Sequence, residues 1–250
     1  MRFDVLTIFP DMFAALTQFG VSGRAAQRGL YRLETWNPRD FADDAYRSID
    51  DRPYGGGPGM VMMPAPLAST LRAIADVQRD ELGARGPVVA LSPQGRRLEQ
   101  EDLRRWAGLP ALTLLCGRYE GIDERILRRH VDQEVSGGDI VVSGGELPAM
   151  TIVDGIVRWL PGALNDSESA PADSFVDGLL DCPHYTRPER FEGEPVPEVL
   201  LSGHHERIAR WRRRQALEAT ARKRPDLRAR ARASGRLTQA DEDMLAELGL

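Results

Sequence analysis

The sequence predicts an α/β fold built on a parallel sheet, and two observations carry that reading. Short apolar runs alternate with longer amphipathic stretches, so that strand–loop–helix units recur along the chain as far as Gly162. Three of the runs empty into glycine-containing turns: Ser92-Pro93-Gln94-Gly95 after Leu91, Gly117-Arg118-Tyr119-Glu120-Gly121 after Cys116, and Gly144-Gly145 after Ser143. In a parallel sheet, ligands bind beyond the carboxyl ends of the strands, where such turns gather.

Phe3 to Phe9 reads as a buried first strand ended by Pro10, with Asp11 placed to cap a helix through Phe19. Leu33 to Trp36 is a second strand. Asp50 to Met60 contains a G-x-G-x-G match, but no β-run leads into it and no full G-x-G-x-x-G occurs, so the dinucleotide fingerprint is not met. A mobile loop that exposes its backbone fits that composition.

Pro64 to Glu81 has the period of an amphipathic helix, Val88 to Leu91 is a strand, Glu99 to Ala107 a helix, Leu112 to Leu115 a strand and Ile122 to His130 a helix. In Ser136 to Pro148, the β-formers Ile140, Val141 and Val142 lie between two Gly pairs and read as a short buried strand. Pro148 then introduces an apolar helical run, Ala149 to Leu160. A glycine pair at such a point lets the backbone turn tightly and offer its N–H and C=O groups to a flat polar ligand such as a nucleoside. For one pair alone a plain strand-to-helix turn is the better explanation; three converging loops favour a single nucleoside site.

After Gly162 the alternation fails. Asn165 to Asp173 is small and polar and reads as a flexible linker, and Asp181 to Pro188 is turn-rich. From Gly203 the chain is helical and basic, broken at Pro225, and Leu237 to Leu250 suits a last short helix with Thr238 as its N-cap. The expected organisation is an α/β domain over 1–163, a linker over 164–176 and a basic helical domain over 177–250.

The 250 residues carry 33 basic and 38 acidic side chains, a net charge of −5, but the charge is unevenly spread. His204 to Arg236 holds twelve basic residues against three acidic ones, a local +9 on a body of −14. A basic module on an acidic body calls for a polyanionic partner, and Arg210, Arg213 and Arg214 are expected to touch its phosphates. No apolar run reaches the roughly 18 residues of a membrane span and no basic-then-apolar leader opens the chain, which reads as cytoplasmic.

Lys223 is the one lysine, which excludes a P-loop and argues against Schiff-base chemistry. Cys116 and Cys182 lie far apart without C-x-x-C partners; both read as small buried residues, and no disulfide framework or zinc site is expected. His204-His205 lacks acids at ligand spacing. His184, between Pro183 and Tyr185, reads as turn packing rather than a base. Glu120 and Glu146 sit inside glycine loops and are open to a functional role or to plain surface charge; for Asp173 and Arg158 surface charge is the default. Nothing matches G-x-S-x-G or a cysteine nucleophile.

Several blocks together carry a family resemblance: Asp-Asp-Arg-Pro-Tyr-Gly-Gly-Gly-Pro-Gly-Met (50–60), Gly-Arg-Tyr-Glu-Gly-Ile-Asp-Glu-Arg (117–125), Ser-Gly-Gly-Glu-Leu-Pro-Ala-Met (143–150), Asp-Ser-Phe (173–175) and Leu-Leu-Asp-Cys-Pro-His-Tyr-Thr-Arg-Pro (179–188). In this order they make the chain resemble, from Arg2 to Pro225, the bacterial tRNA (guanine-N1)-methyltransferases, the TrmD family of the SPOUT class. The resemblance implies a SPOUT-type parallel sheet with a deep trefoil knot, a feature that general topology rules exclude. It also implies a small helical C-terminal domain and S-adenosylmethionine bound in a bent shape.

Its implied substrate is N1 of the guanosine immediately 3′ of the anticodon in tRNA, position 37. The implied assembly is a homodimer with the active site at the subunit interface, and a link to Mg²⁺ dependence comes with the family, though no residue of this chain is assigned as a metal ligand. Carried over by position, Leu91, Ser92, Pro93, Gly117, Tyr119, Glu120, Gly121, Gly137, Ile140, Val142, Gly144, Gly145 and Pro148 line the cofactor pocket. Asp173 matches the general base and Arg158 its partner.

Gly137 and Ile140 depart from the pattern, standing where relatives commonly carry isoleucine and tyrosine, and the last dozen residues diverge. The chemistry agrees with the roles: N1 of guanine is protonated at neutral pH, a carboxylate removes that proton, and an arginine stabilises the charge that spreads to O6. The basic helices would hold the anticodon stem-loop through its phosphates. Two other readings stand beside this one, a non-catalytic RNA-binding module on the same fold and a related methyltransferase acting on ribosomal RNA or another tRNA base.

Overall fold

A five-stranded sheet in the order β2-β1-β6-β5-β7 carries the first of two units, Met1–Ser167 and Glu168–Leu250, in a computed structural model that describes residues 1–250. In chain order the first unit runs β1 (Arg2–Leu6), α1 (Ala14–Gln18), α2 (Gly20–Gln27), β2 (Arg32–Trp36), β3 (Asp50–Asp51), β4 (Val61–Met62) and α3 (Pro64–Leu82). It continues with β5 (Val88–Arg97), α4 (Gln100–Ala107), β6 (Ala111–Cys116), α5 (Glu124–His130), β7 (Gln133–Ser136) and α6 (Glu146–Val157). Every ladder in the sheet is parallel.

Alternate strand residues face opposite layers, as the two-residue period of a strand requires. Phe3, Val5, Val89, Leu91, Leu112 and Leu114 join one core with residues of α4 and α6, while Leu6, Val88, Ala90 and Leu115 join another with residues of α3 and α5. Burial on both faces explains why β6 is apolar almost throughout. The second core also holds a paired charge. Asp4, fully buried, accepts from Arg2 Nε and Nη2 at 2.8 Å each, from Trp36 Nε1 at 2.8 Å and from Gln78 Nε2 at 2.7 Å.

Three segments differ from the sequence expectation. The first strand ends at Leu6, not Phe9, because Thr7 turns the chain: its Oγ1 accepts from Phe9 N at 3.0 Å. A 3-10 turn, Pro10–Phe13, follows with no side-chain cap, so Asp11 does not cap the helix. β5 runs on to Arg97, with Ser92 to Gly95 bulging between two registers against β7. Gly95 permits that approach, since a Cβ there would lie 2.3 Å from Val135 N.

Ile140-Val141-Val142 is not a strand. The chain leaves the sheet at Ser136, whose Oγ donates to Gly138 O at 2.7 Å, and Gly138 has φ +148°. Having no ladder partner, these β-formers lie 66%, 85% and 38% exposed on a loop.

The second unit contains β8 (Arg190–Phe191), β9 (Glu194–Pro195), α7 (Glu198–Leu201), α8 (His205–Lys223), α9 (Pro225–Ala233) and α10 (Gln239–Glu247). Its small core gathers Leu179, Leu217, Ala221, Ala231 and Leu245. Pro225 opens α9 at its first position and so ends α8 at Lys223. Thr238 caps α10 in a capping box: its Oγ1 accepts from Asp241 N, and Asp241 accepts from Thr238 N at 2.9 Å. No helix of the chain is long and apolar enough to cross a membrane.

Candidate active site

The sequence places glycine loops after three strands, and the fold brings those loops together. Gly145, at the start of α6, donates its N–H to Gly117 O at 2.9 Å. A Cβ on Gly145 would lie 2.7 Å from Cys116 Cα and 3.0 Å from both Gly117 N and Leu91 Cβ. Leu91 at the point where β5 bulges, the end of β6 and the loop leaving β7 therefore meet within the width of one methyl group, and only glycine fits. Gly137 lies beside Pro148, but a Cβ there would touch the ring at an ordinary 3.5 Å. Glycine at 137 is thus a departure that the backbone does not demand.

Glu146 is neither solvated charge nor an exposed functional acid. It is fully buried, accepts from Arg118 Nε at 2.8 Å and from Thr7 Oγ1 at 2.8 Å, and sits in the first turn of α6, where the helix dipole favours an anion. Arg118 also donates from Nη1 to Ser143 O at 3.1 Å and stacks 4.4 Å from the centre of the Phe9 ring. Gly144 leaves the space that this guanidinium occupies; a Cβ there would lie 2.1 Å from Nε. Burial pushes the Cys116 thiol well up, so it is a packing residue with no thiolate character.

The Asp50–Met60 loop joins the same constellation. Glu120 N donates to Met60 O, and Met62 N to Gly121 O, both at 2.9 Å. The Glu120 carboxylate lies over Gly59, where an added Cβ would be 2.3 Å from Oε1. Tyr119 takes the left-handed conformation at φ +59°; burial, and then the neighbouring Asp50 carboxylate, push its hydroxyl pKa up. Ser92 Oγ accepts from Gln94 N at 3.1 Å in the β5 bulge beside Pro93. Ile140 and Val142 stand exposed on the loop between Gly138 and Gly144.

Arg158 and Asp173 are carried by other segments. Arg158 is the C-cap of α6, thirteen residues beyond Gly145, which places it about 20 Å along the helix axis from that glycine. Asp173 belongs to the second unit, where its Oδ1 accepts from Ser174 N at 2.7 Å.

In that unit the structure assembles a group the sequence reading passed over: ligand atoms of Asp181, Cys182 and His184 lie within 4.8 Å of one another. His184 is no turn-packing residue, since its side chain is 75% exposed and bonded to Asp181 Oδ2 at 2.8 Å. The Asp-Cys-x-His spacing was the available signal. Arg213, expected to face phosphate, is tied instead to buried Asp241 at 2.8 and 2.9 Å and to Asp177.

The chain is an α/β protein whose main-chain loops close at the carboxyl edge of a parallel sheet, the place where such sheets bind ligands. A family model described as tRNA (Guanine-1)-methyltransferase TrmD matches residues 1–230. The chain is 59% identical over 248 residues to a tRNA (guanine-N(1)-)-methyltransferase of Cupriavidus metallidurans, covering 99% of this chain and 95% of that one. It is 59% identical over 246 residues to the protein of the same name in Ralstonia nicotianae, covering 98% and 93%. For the Burkholderia multivorans protein of that name the identity is 58% over 248 residues, covering 99% and 94%. The chain belongs to the tRNA (guanine-1)-methyltransferase TrmD family and is an enzyme of the methyltransferase class.

Proposed function

We propose that the protein methylates N1 of the guanosine at tRNA position 37, immediately 3′ of the anticodon, with S-adenosylmethionine as donor. The observation that carries this reading is the convergence of Leu91, Gly117 and Gly145 within a methyl group's width, in a chain of this family. The residues fit the cofactor: glycine-lined main chain suits a flat polar nucleoside, and exposed Ile140, Val142 and Tyr119 offer apolar cover beside it. The loops Leu91–Pro93, Gly117–Gly121, Gly137–Val142 and Gly144–Pro148 would hold it. When bound, the cofactor supplies a methyl group on an electrophilic sulfonium.

The chain's own residues do the rest. Asp173 accepts the N1 proton of guanine, leaving nitrogen a free pair. The charge spreads to O6, where Arg158 stabilises it without changing its own protonation. Arg158 stands about 20 Å along α6 from Gly145, too far to serve its own loops. That favours a homodimer in which the loops of one subunit are completed by Arg158 of the other, with Asp173 supplied from that same partner. The knot of the SPOUT class is proposed for the sheet, with 1–163 as the catalytic domain, 164–176 as linker and 177–250 as the domain that holds the anticodon stem-loop. The compartment is the cytoplasm.

Mg²⁺ is given no step. The donor set of Asp181, Cys182 and His184, with a thiol and an imidazole, suits a softer ion than Mg²⁺.

Incubating tRNA with the enzyme and S-adenosylmethionine labelled at the methyl group, followed by nucleoside mass spectrometry and fragment mapping, tests the proposal. Label in 1-methylguanosine at position 37 is expected. Label in another nucleoside or in ribosomal RNA would favour the related-methyltransferase reading, and RNA binding without any label would favour the non-catalytic one.

A further inference from the structure

A cavity of about 420 Å³ opens in the second unit between the turn around Pro183–Arg187 and helix α8, and the proposed reaction uses none of it. Its lining contains an aromatic pair, Tyr185 and Trp211, with ring centroids 6.2 Å apart and planes inclined at 57°. Tyr185 is half exposed, so its ring is available to a ligand. Arg187 and Arg212, both exposed, also line the cavity, and Glu189 is its one carboxylate. The volume falls in the range of small-ligand sites, roughly 300–1,000 Å³.

This is the chemistry that holds an unpaired nucleotide. An aromatic face accepts a base by stacking, a guanidinium stacks or pairs with the flanking phosphate, and a carboxylate accepts hydrogen bonds from an amino or imino group on the base edge. A paired stem cannot use such a site, because its bases are already stacked and paired. The setting is electrostatically matched, since α8 also presents Arg207, Arg210 and Arg214 exposed at positions i, i+3 and i+7.

We propose that the cavity takes one unpaired nucleotide of the RNA substrate, its base against Tyr185 and Trp211 and its phosphates at Arg187 and Arg212. The inference rests on the reading that the substrate is RNA, and adds to the stem phosphate contacts a site that recognises an unstacked base.

The test reads binding without methyl transfer, so its failure is distinct from failure of the proposed reaction. A single-stranded oligoribonucleotide and its duplex are titrated against the full-length protein and its variants. The expected result is that Tyr185→Leu weakens single-strand binding by about 5- to 150-fold. Tyr185→Phe, which keeps the ring, binds as the native protein does, and the duplex gains nothing from Tyr185. In the native protein, photocrosslinking of a 5-bromouridine-containing single strand, followed by peptide mass spectrometry, is expected to mark Tyr185 or Trp211. This second measurement decides the matter if Tyr185→Leu lowers the melting temperature. Undiminished single-strand binding by a folded Tyr185→Leu variant, equal losses for single strand and duplex, or crosslinks confined to other segments would overturn the proposal.

Discussion

Arg118, 16% exposed, divides its guanidinium among Glu146, Ser143 O and the Phe9 ring, whereas Arg207, Arg210 and Arg214 stand exposed along one face of α8. The first arginine is scaffold: it ties the segments of Phe9, Ser143 and Glu146 to its own. The exposed arginines keep their charge outward. Arg213, in the middle of the basic helix, belongs with Arg118, since it ties α8 to buried Asp241 and to Asp177. Arg222, Arg224 and Arg232 are likewise paired, with Glu218, Asp226 and Glu242. A run of basic residues therefore has to be sorted by partner before its charge is assigned to a ligand.

The largest expected effect breaks the chemistry and leaves both kinds of arginine intact. Asp173→Asn should retain cofactor binding and lose about 10²–10⁴-fold in methyl transfer, read by labelled-methyl incorporation. Gly137→Trp should close the pocket instead, because an added Cβ at 137 meets only Pro148 at ordinary contact distance, whereas one at Gly145 strikes main chain. Mixed in equal amounts within one dimer population, the two inactive chains should recover roughly a quarter of native activity if Asp173 serves the partner's loops. No recovery in a purified heterodimer would mean that the site is built within one subunit.

Next comes the scaffold arginine. Arg118→Met leaves the fully buried Glu146 carboxylate without its counterion, at an expected cost of about 3–5 kcal/mol in denaturant unfolding of the first unit. Replacing both members, Arg118→Met with Glu146→Leu, should restore most of that loss. A single variant as stable as the native protein would show that the pair does not clamp the loops.

Most of this architecture was legible in the sequence, and the exceptions have physical causes. The strands at Val88 and Leu112 and the helix at Pro64 announce themselves by period and by burial on both faces, and Thr238 by capping chemistry. The apparent strand at Ile140–Val142 misled because β-propensity is realised only with a ladder partner, and the chain has already left the sheet at Ser136. The site's glycines were readable as turns, but not that Gly145 must be glycine to admit Cys116 and Leu91, which lie far away in sequence. Nor could Glu146 or Arg213 be recognised as tied residues, because Arg118 and Asp241 reach them only through the fold.

A smaller effect separates Arg213 from its neighbours. Hydrogen bonds from Arg213 hold the Asp241 carboxyl at about 2, below its ordinary 3.8, against the opposing effect of burial. A depressed carboxyl stabilises the fold above its unfolded pKa and loses that contribution as pH falls toward the folded one. Unfolding of the second unit should therefore lose roughly 2 kcal/mol between pH 4 and pH 2 through this group. Arg213→Gln should remove about 1.5–3 kcal/mol at neutral pH and flatten that acid limb. An unchanged limb would place the titration elsewhere.

The smallest effect on stability, and the sharpest on binding, concerns the exposed face of α8. Arg207→Gln, Arg210→Gln and Arg214→Gln together remove three charges that hold no partner in the fold, so unfolding should shift by no more than about 0.5 kcal/mol per site. If these side chains meet tRNA phosphates, each releases counterions on binding. The dependence of log K on log salt should then flatten by roughly 0.7–0.9 per lost contact, in a filter-binding titration across salt concentrations. Arg213→Gln serves as the control within the same helix: its charge is spent on Asp241 and Asp177, so the slope should stay at the native value in samples that remain folded. If the triple variant kept the native slope while Arg213→Gln lost it, the two kinds of arginine on α8 would have been assigned the wrong way round.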